Sequence, residues 1–125
     1  MTERRRVLVV DDDASIRQFL HMALTDRGYH VVTAEHGRAA LEAIAEAPPS
    51  LVLLDMRMPM MDGWSFAAAY RALPGPRAPV IVLTAARDAA AYASQIQADA
   101  FLAKPFTLSD LFRLVTTFAG AANAP

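Results

Sequence analysis

The sequence predicts a doubly wound α/β fold, a parallel sheet of five strands covered by helices on both faces. Three observations carry this. Short runs that are apolar at nearly every position alternate with longer segments of helical period. The alternation repeats five times with short connections. No linker, internal repeat or low-complexity segment breaks it. A strand apolar on both faces must be covered on both faces, which marks a parallel sheet. Strict β–α alternation is how such a sheet is wound.

Val7-Leu8-Val9-Val10 is the first buried strand. Ile16, Phe19, Leu20, Ala23 and Leu24 then recur at helical spacing and form one inward face. Gly28 closes that helix. Tyr29 to Ala34 is β-prone and gives the second strand. Gly37 to Ala47 is an Ala-rich helix with Leu41 and Ile44 facing inward, stopped by Pro48-Pro49. Leu51 to Leu54 is the third strand and ends at Asp55. Met56 to Gly63 reads as a loop, followed by a helix from about Trp64 to Leu73. Val80 to Leu83 is the fourth strand and ends at Thr84. A polar, Ala-rich helix spans about Arg87 to Ile96. Phe101 to Ala103 is the last strand and ends at Lys104. Leu108, Leu111, Phe112, Val115 and Phe118 mark the last helix, with Thr107 as its N-cap. Residues 120–125 read as a loose tail.

The 125 residues suit one domain, 1–125, with a core over about 5–119. Twelve basic residues stand against 13 acidic ones. That balance gives no footprint for nucleic acid or an anionic membrane. The basic run Arg4-Arg5-Arg6 leads into an apolar strand and reads as a solvated strand start. There are no cysteines, so disulfides and thiolate metal sites are excluded. No segment has a signal peptide's apolar run or the length of a membrane span. The expected setting is cytoplasmic.

Polar residues stand at the carboxyl ends of the apolar strands: Asp11-Asp12, Asp55, Thr84 and Lys104. Ligands of open α/β sheets bind outside those ends, so these distant residues should meet in space. Alone, each has an ordinary explanation. An aspartate after a strand can simply cap the next helix, as Asp13 or Ser15 should here. Together, three carboxylates, a hydroxyl and an ammonium on one rim are poor for stability unless paired. Clustered carboxylates demand a cation or a raised pKa. An all-oxygen set with few protein ligands suits Mg²⁺, which keeps waters and shares a phosphate oxygen. A carboxylate there can accept a phosphoryl group, with the ammonium and hydroxyl holding its oxygens.

Four stretches then resemble the receiver domain of two-component response regulators. They are Val9-Val10-Asp11-Asp12-Asp13, the run from Leu54 to Gly63, Leu83-Thr84-Ala85 and Lys104-Pro105-Phe106. The resemblance covers about residues 5–119 and is closest to single-domain, chemotaxis-regulator-like members. It implies a flavodoxin-like sheet of order 2-1-3-4-5, with two helices on one face and three on the other. It implies that Asp55 is the phosphoacceptor. Asp12 and Asp55 would ligate Mg²⁺ (or Mn²⁺) directly, Asp11 through water, and the main-chain carbonyl of Arg57 would add a ligand. Thr84 and Lys104 would contact the phosphoryl oxygens, with a cis bond between Lys104 and Pro105. Phe101 would be the switch aromatic, turning inward as Thr84 moves.

The donor implied is a phosphohistidine on a histidine kinase or histidine phosphotransfer protein. Output would be binding of a downstream protein target, or service as a phosphate sink, by a stand-alone monomer or weak dimer. It would catalyse only its own phosphorylation and dephosphorylation. Four departures from the family stand out, the first being Phe rather than Tyr at switch position 101, which removes the hydroxyl hydrogen bond of tyrosine-bearing relatives. Gln97 replaces the usual glycine of the turn before the last strand, so that turn should be distorted. The short segment between Thr84 and Lys104 implies a short or irregular fourth helix. Arg57 lies two residues after Asp55, where its side chain is either solvated or reaches over the phosphate.

Two rival readings fit parts of the sequence. Asp11 and Asp13 resemble the Asp-x-Asp pair of haloacid-dehalogenase-type phosphatases, with Asp11 as nucleophile. That family needs acidic metal ligands after a later strand, and only Asp110 follows Lys104. An unphosphorylated, receiver-like interaction module is the other rival. Such modules lose the acceptor, the acidic pair or the lysine, and all are present here.

Overall fold

A computed structural model describes residues 5–122. The elements alternate throughout: β1 (Arg6–Val10), α1 (Ala14–Asp26), β2 (His30–Ala34), α2 (Gly37–Glu46), β3 (Leu51–Asp55), α3 (Gly63–Ala72), β4 (Val80–Ala85), α4 (Ala86–Gln95), β5 (Ala100–Lys104) and α5 (Leu108–Ala119). All neighbouring strands pair in parallel, in the order β2-β1-β3-β4-β5.

Successive strand side chains point to opposite faces, so the apolar strands feed two cores. Val7, Val9, Leu51, Leu53, Ile81 and Leu83 pack with Leu20, Leu24, Leu111 and Val115 of α1 and α5. Leu8, Val10, Val52, Leu54 and Val82 pack with Phe66, Tyr70, Tyr92 and Ala93 on the α2–α4 side. The expected two-and-three division of helices is observed. Asp13 caps α1, and Thr107 caps α5.

Several expectations need correction. Phe19 is 45% exposed rather than inward. It sits at the upper edge of α1, where its ring meets Phe106 at 6.4 Å between centroids. The fourth helix is neither short nor irregular: α4 is a ten-residue α-helix. It achieves this by starting directly at the end of β4, with no connecting residue. The turn before β5 is intact, because Gln97 itself adopts φ +54°. Ala98 N–H then donates to the Ala93 carbonyl at 2.8 Å, and Asp99 N–H to that of Val80 at 2.9 Å.

The start of the tail is not loose. Tyr29 Oη donates to the Gly120 carbonyl at 2.7 Å, and Arg5 N–H to that of Ala122 at 2.6 Å. Arg5 is accordingly half-buried rather than solvated. Arg4 and residues 123–125 lie outside the described residues.

Candidate functional site at the carboxyl rim

Strand register brings the rim together. Val10 pairs with Leu54, Asp55 with Leu83, Thr84 with Ala103 and Ala85 with Lys104. The residues ending β1, β3, β4 and β5 therefore stand at one level, although 44, 29 and 20 positions separate Asp11, Asp55, Thr84 and Lys104 in turn. The loop after β3 is drawn tight by Gly63, whose N–H donates to the Met56 carbonyl at 2.9 Å. A Cβ there would come within 2.7 Å of Met56 Cα, so only glycine lets α3 begin this close to the end of β3.

Asp11 is fully buried, and both its oxygens are engaged. Oδ2 accepts from Lys104 Nζ at 2.9 Å, and Oδ1 from Asp13 N–H at 3.0 Å. Arg17 Nη1 donates to the Asp11 carbonyl at 2.7 Å. Asp12 is exposed. Asp55 is 7% exposed, as is Thr84. Lys104 Nζ stands 3.8 Å from Asp55 Oδ1, a looser contact than its bond to Asp11. Among the described residues, no N–H or ammonium makes a hydrogen bond to the Asp55 carboxylate, while Lys104 Nζ bonds Asp11 instead. The Lys104–Pro105 bond is cis, as expected.

One carboxyl of this group is strongly perturbed. Burial pushes Asp55 up to about 7, the Asp11 charge adds to this, Lys104 opposes it, and Asp12 raises it further. Asp13 is lowered, by the hydrogen bond from the Ser15 hydroxyl and then by the Ile16 and Ser15 amides. That is the behaviour of a helix cap, and it sets Asp13 apart from the cluster.

Asp11, Asp12 and Asp55 each offer an oxygen, and these oxygens lie within 4.8 Å of one another. The Arg57 carbonyl accepts no hydrogen bond among the described residues. Three hard oxygen donors, one of them on an exposed residue, fit a magnesium-type ion that retains water.

The predicted residues Asp11, Asp12, Asp55 and Lys104 converge, with Thr84 level with them in the sheet. Phe101 lies on β5 at 45% exposure, facing outward. Arg57 is exposed, as the solvated reading expects, and its side chain also makes a contact the sequence did not suggest: it donates to the hydroxyl of Tyr92 on α4. Sequence reading missed Arg17 and Tyr92. Each lies on a helix next to the rim, in a segment with no motif to single it out.

A five-stranded doubly wound sheet with an acidic cluster and a lysine on its carboxyl rim defines a receiver-type class of signalling module. The chain belongs to the response regulator receiver domain family of two-component signalling, whose family model matches residues 7–116. Response regulator MprA of Mycolicibacterium vanbaalenii is 40% identical over 108 residues, covering 85% of this chain and 46% of its own length. The chain thus spans less than half the length of the curated relatives it matches first. Chemotaxis response regulator CheY4 of Vibrio cholerae is similar in structure, with TM-score 0.83 and 32% identity, covering 93% of this chain and 99% of that one. So is response regulator TrrA of Thermotoga maritima, solved with Mg²⁺ and BeF, with TM-score 0.80 and 33% identity, covering 91% and 98%. Among the described residues, no helix is long and apolar enough to cross a membrane.

Proposed function

We propose that this receiver domain is a switch in which Asp55 accepts a phosphoryl group from a phosphohistidine on a histidine kinase or phosphotransfer protein. One observation carries the reading. Asp55 is the buried rim carboxylate left without a hydrogen-bond donor, while Asp11 beside it is held at both oxygens. A nucleophile needs free lone pairs, and Asp55 keeps them.

In the transfer, an Asp55 oxygen bonds to phosphorus as the P–N bond to the imidazole breaks. The bonding pair leaves on the imidazole nitrogen, and the product is an acyl phosphate. Lys104 Nζ, 3.8 Å away, is placed to bond a phosphoryl oxygen, and the Thr84 hydroxyl is to hold another. Asp12 and Asp55 directly, Asp11 through water and the Arg57 carbonyl would hold Mg²⁺ or Mn²⁺, which supplies neutralising charge for the transferring group.

The donor has an adjacent landing surface. Ile16, Phe19, Pro105 and Phe106 line an apolar cavity of about 410 Å³ with Lys104 at its edge. Apolar residues rimming a charged site suit a helix that presents a histidine. The signal leaves as Thr84 moves toward the phosphoryl group and Phe101 turns inward, changing the surface offered to a downstream protein.

Phosphorylated histidine kinase incubated with this chain, followed by mass mapping of the trapped acyl phosphate, tests the reading. Label on Asp55 is expected. Label on Asp11 would instead establish the phosphatase-type nucleophile. Beryllofluoride with Mg²⁺ should shift the Thr84 and Phe101 amide resonances, whereas an inert interaction module would leave them unmoved.

A further inference from the structure

We propose that Arg57 and Tyr92 form a latch between the phosphorylation loop and α4, and that phosphorylation of Asp55 opens it. This rests on the function proposed above. The latch is built from three side chains and a fourth that steadies them. Arg57 Nη2 donates to Tyr92 Oη, and the guanidinium carbon lies 5.5 Å from the Tyr92 ring centroid and 5.9 Å from that of Trp64. The Trp64 and Tyr92 rings meet edge to face at 4.8 Å. Trp64 Nε1 donates to Gln95 Oε1 at 2.7 Å. The loop after β3 and the first turn of α3 are thus fastened to α4 at Tyr92 and Gln95, neighbours on one helical face.

The other end of α4 is attached differently. Its first residue, Ala86, follows β4 with no connector, and Ala85 supplies no side-chain cap. Thr84 lies two residues before that helix start, so its motion acts on the amino end of α4. Arg57 acts on the carboxyl half. The helix is therefore held from both sides by groups that answer to the same carboxylate.

Charge decides which partner Arg57 prefers. Arg57 is an exposed residue and forms no salt bridge among the described residues. It lines a cavity of about 340 Å³ with Asp12, Met58, Pro59, Asp62 and Trp64, beside the rim. Phosphorylation adds close to two negative charges there. A guanidinium bonds phosphate oxygens more strongly, and with two parallel bonds, than it bonds a neutral phenol. Once Arg57 turns to the phosphoryl group, the Tyr92 hydroxyl, on a residue only 9% exposed, loses its partner. The hydroxyl must then take a new partner, and α4 is released from the loop after β3.

Trp64 is the only tryptophan, so its indole N–H gives one unambiguous NMR reporter. Mg²⁺ with beryllofluoride should shift the Thr84 amide and the Trp64 indole together in the unaltered protein. Tyr92→Phe removes the latch hydroxyl alone. It should tighten beryllofluoride binding by about threefold to tenfold, because no bond has to be broken first, and should shrink the indole response. Arg57→Gln can still bond the phenol but carries no charge, so the indole should stay unmoved while Thr84 responds. A Thr84 response with a silent indole in the unaltered protein would overturn the latch and leave the proposed function standing. Equal or weaker beryllofluoride binding by Tyr92→Phe would overturn it too. A silent Thr84 amide would remove the proposed function, and the latch with it.

Discussion

The interior of this sheet and its carboxyl rim solve opposite problems a few ångströms apart. In the interior, Val7 to Val10, Leu51 to Leu54 and Ile81 to Leu83 are all but fully buried, and every side chain meets apolar neighbours. At the rim, Asp11 and Asp55 are buried as deeply, yet one lysine serves both. The interior gains stability from each residue it covers. The rim gives stability up, because desolvated carboxylates repel. Function resides in the part of the molecule that is not at its energetic optimum.

Asp55→Asn separates the two regions most sharply. Transfer of radiolabelled phosphoryl from a phosphorylated kinase should fall from stoichiometric to undetectable, since an amide is no nucleophile. The circular dichroism spectrum should be unchanged, because no hydrogen bond holding the fold depends on that carboxylate. Incorporation at the unaltered level would refute the assignment. Leu53→Ala does the reverse. Leu53 is fully buried against the α1–α5 layer, so truncation should cost about 3 kcal/mol in urea unfolding. The acceptor would stay in place, and the folded fraction should still be phosphorylated.

Proton linkage measures the strain at the rim. The Asp55 carboxyl sits at about 7 in the fold against an ordinary 3.8. The folded state therefore binds more protons than the unfolded chain between these values, and stability falls as pH rises from about 4 to about 7. Without divalent cation at pH 8, Asp55→Asn should exceed the unaltered protein by about 2–4 kcal/mol. At pH 3 that advantage should vanish. Millimolar Mg²⁺ at pH 8 should raise the melting temperature of the unaltered protein more than that of the variant. Equal melting curves at pH 8 would mean that the rim carries no such strain.

The two regions also differ in how legible they were. Strand runs such as Val7 to Val10 announce themselves because burial on both faces leaves no polar position. The rim followed from them: once the strands end where the apolar runs end, parallel pairing must bring Asp11, Asp55, Thr84 and Lys104 to one level. Contacts between loops and helices left no such trace. Arg57 to Tyr92 spans 35 positions and joins a loop to the middle of a helix, so no period or spacing encodes it. Phe19 had the correct helical phase but lay at the edge of the packed layer, and phase alone does not say where a layer stops.

Gln97 gives the smallest effect and tests the fold side of the comparison. It holds φ +54°, a conformation that costs a side-chain-bearing residue about 1 kcal/mol relative to glycine. Its own N–H donates to the Ser94 carbonyl at 3.1 Å, and the Ala98 and Asp99 bonds follow from its turn. The turn is thus set by the hydrogen bonds on either side and imposed on Gln97. Gln97→Gly should remove the steric cost but add freedom to the unfolded chain, for a net gain of under about 1 kcal/mol. Phosphoryl transfer should not change, because the turn lies at the amino end of β5 and Lys104 at the other. A loss of stability on this substitution would show that the Gln97 side chain, exposed as it is, contributes packing that outweighs its backbone strain.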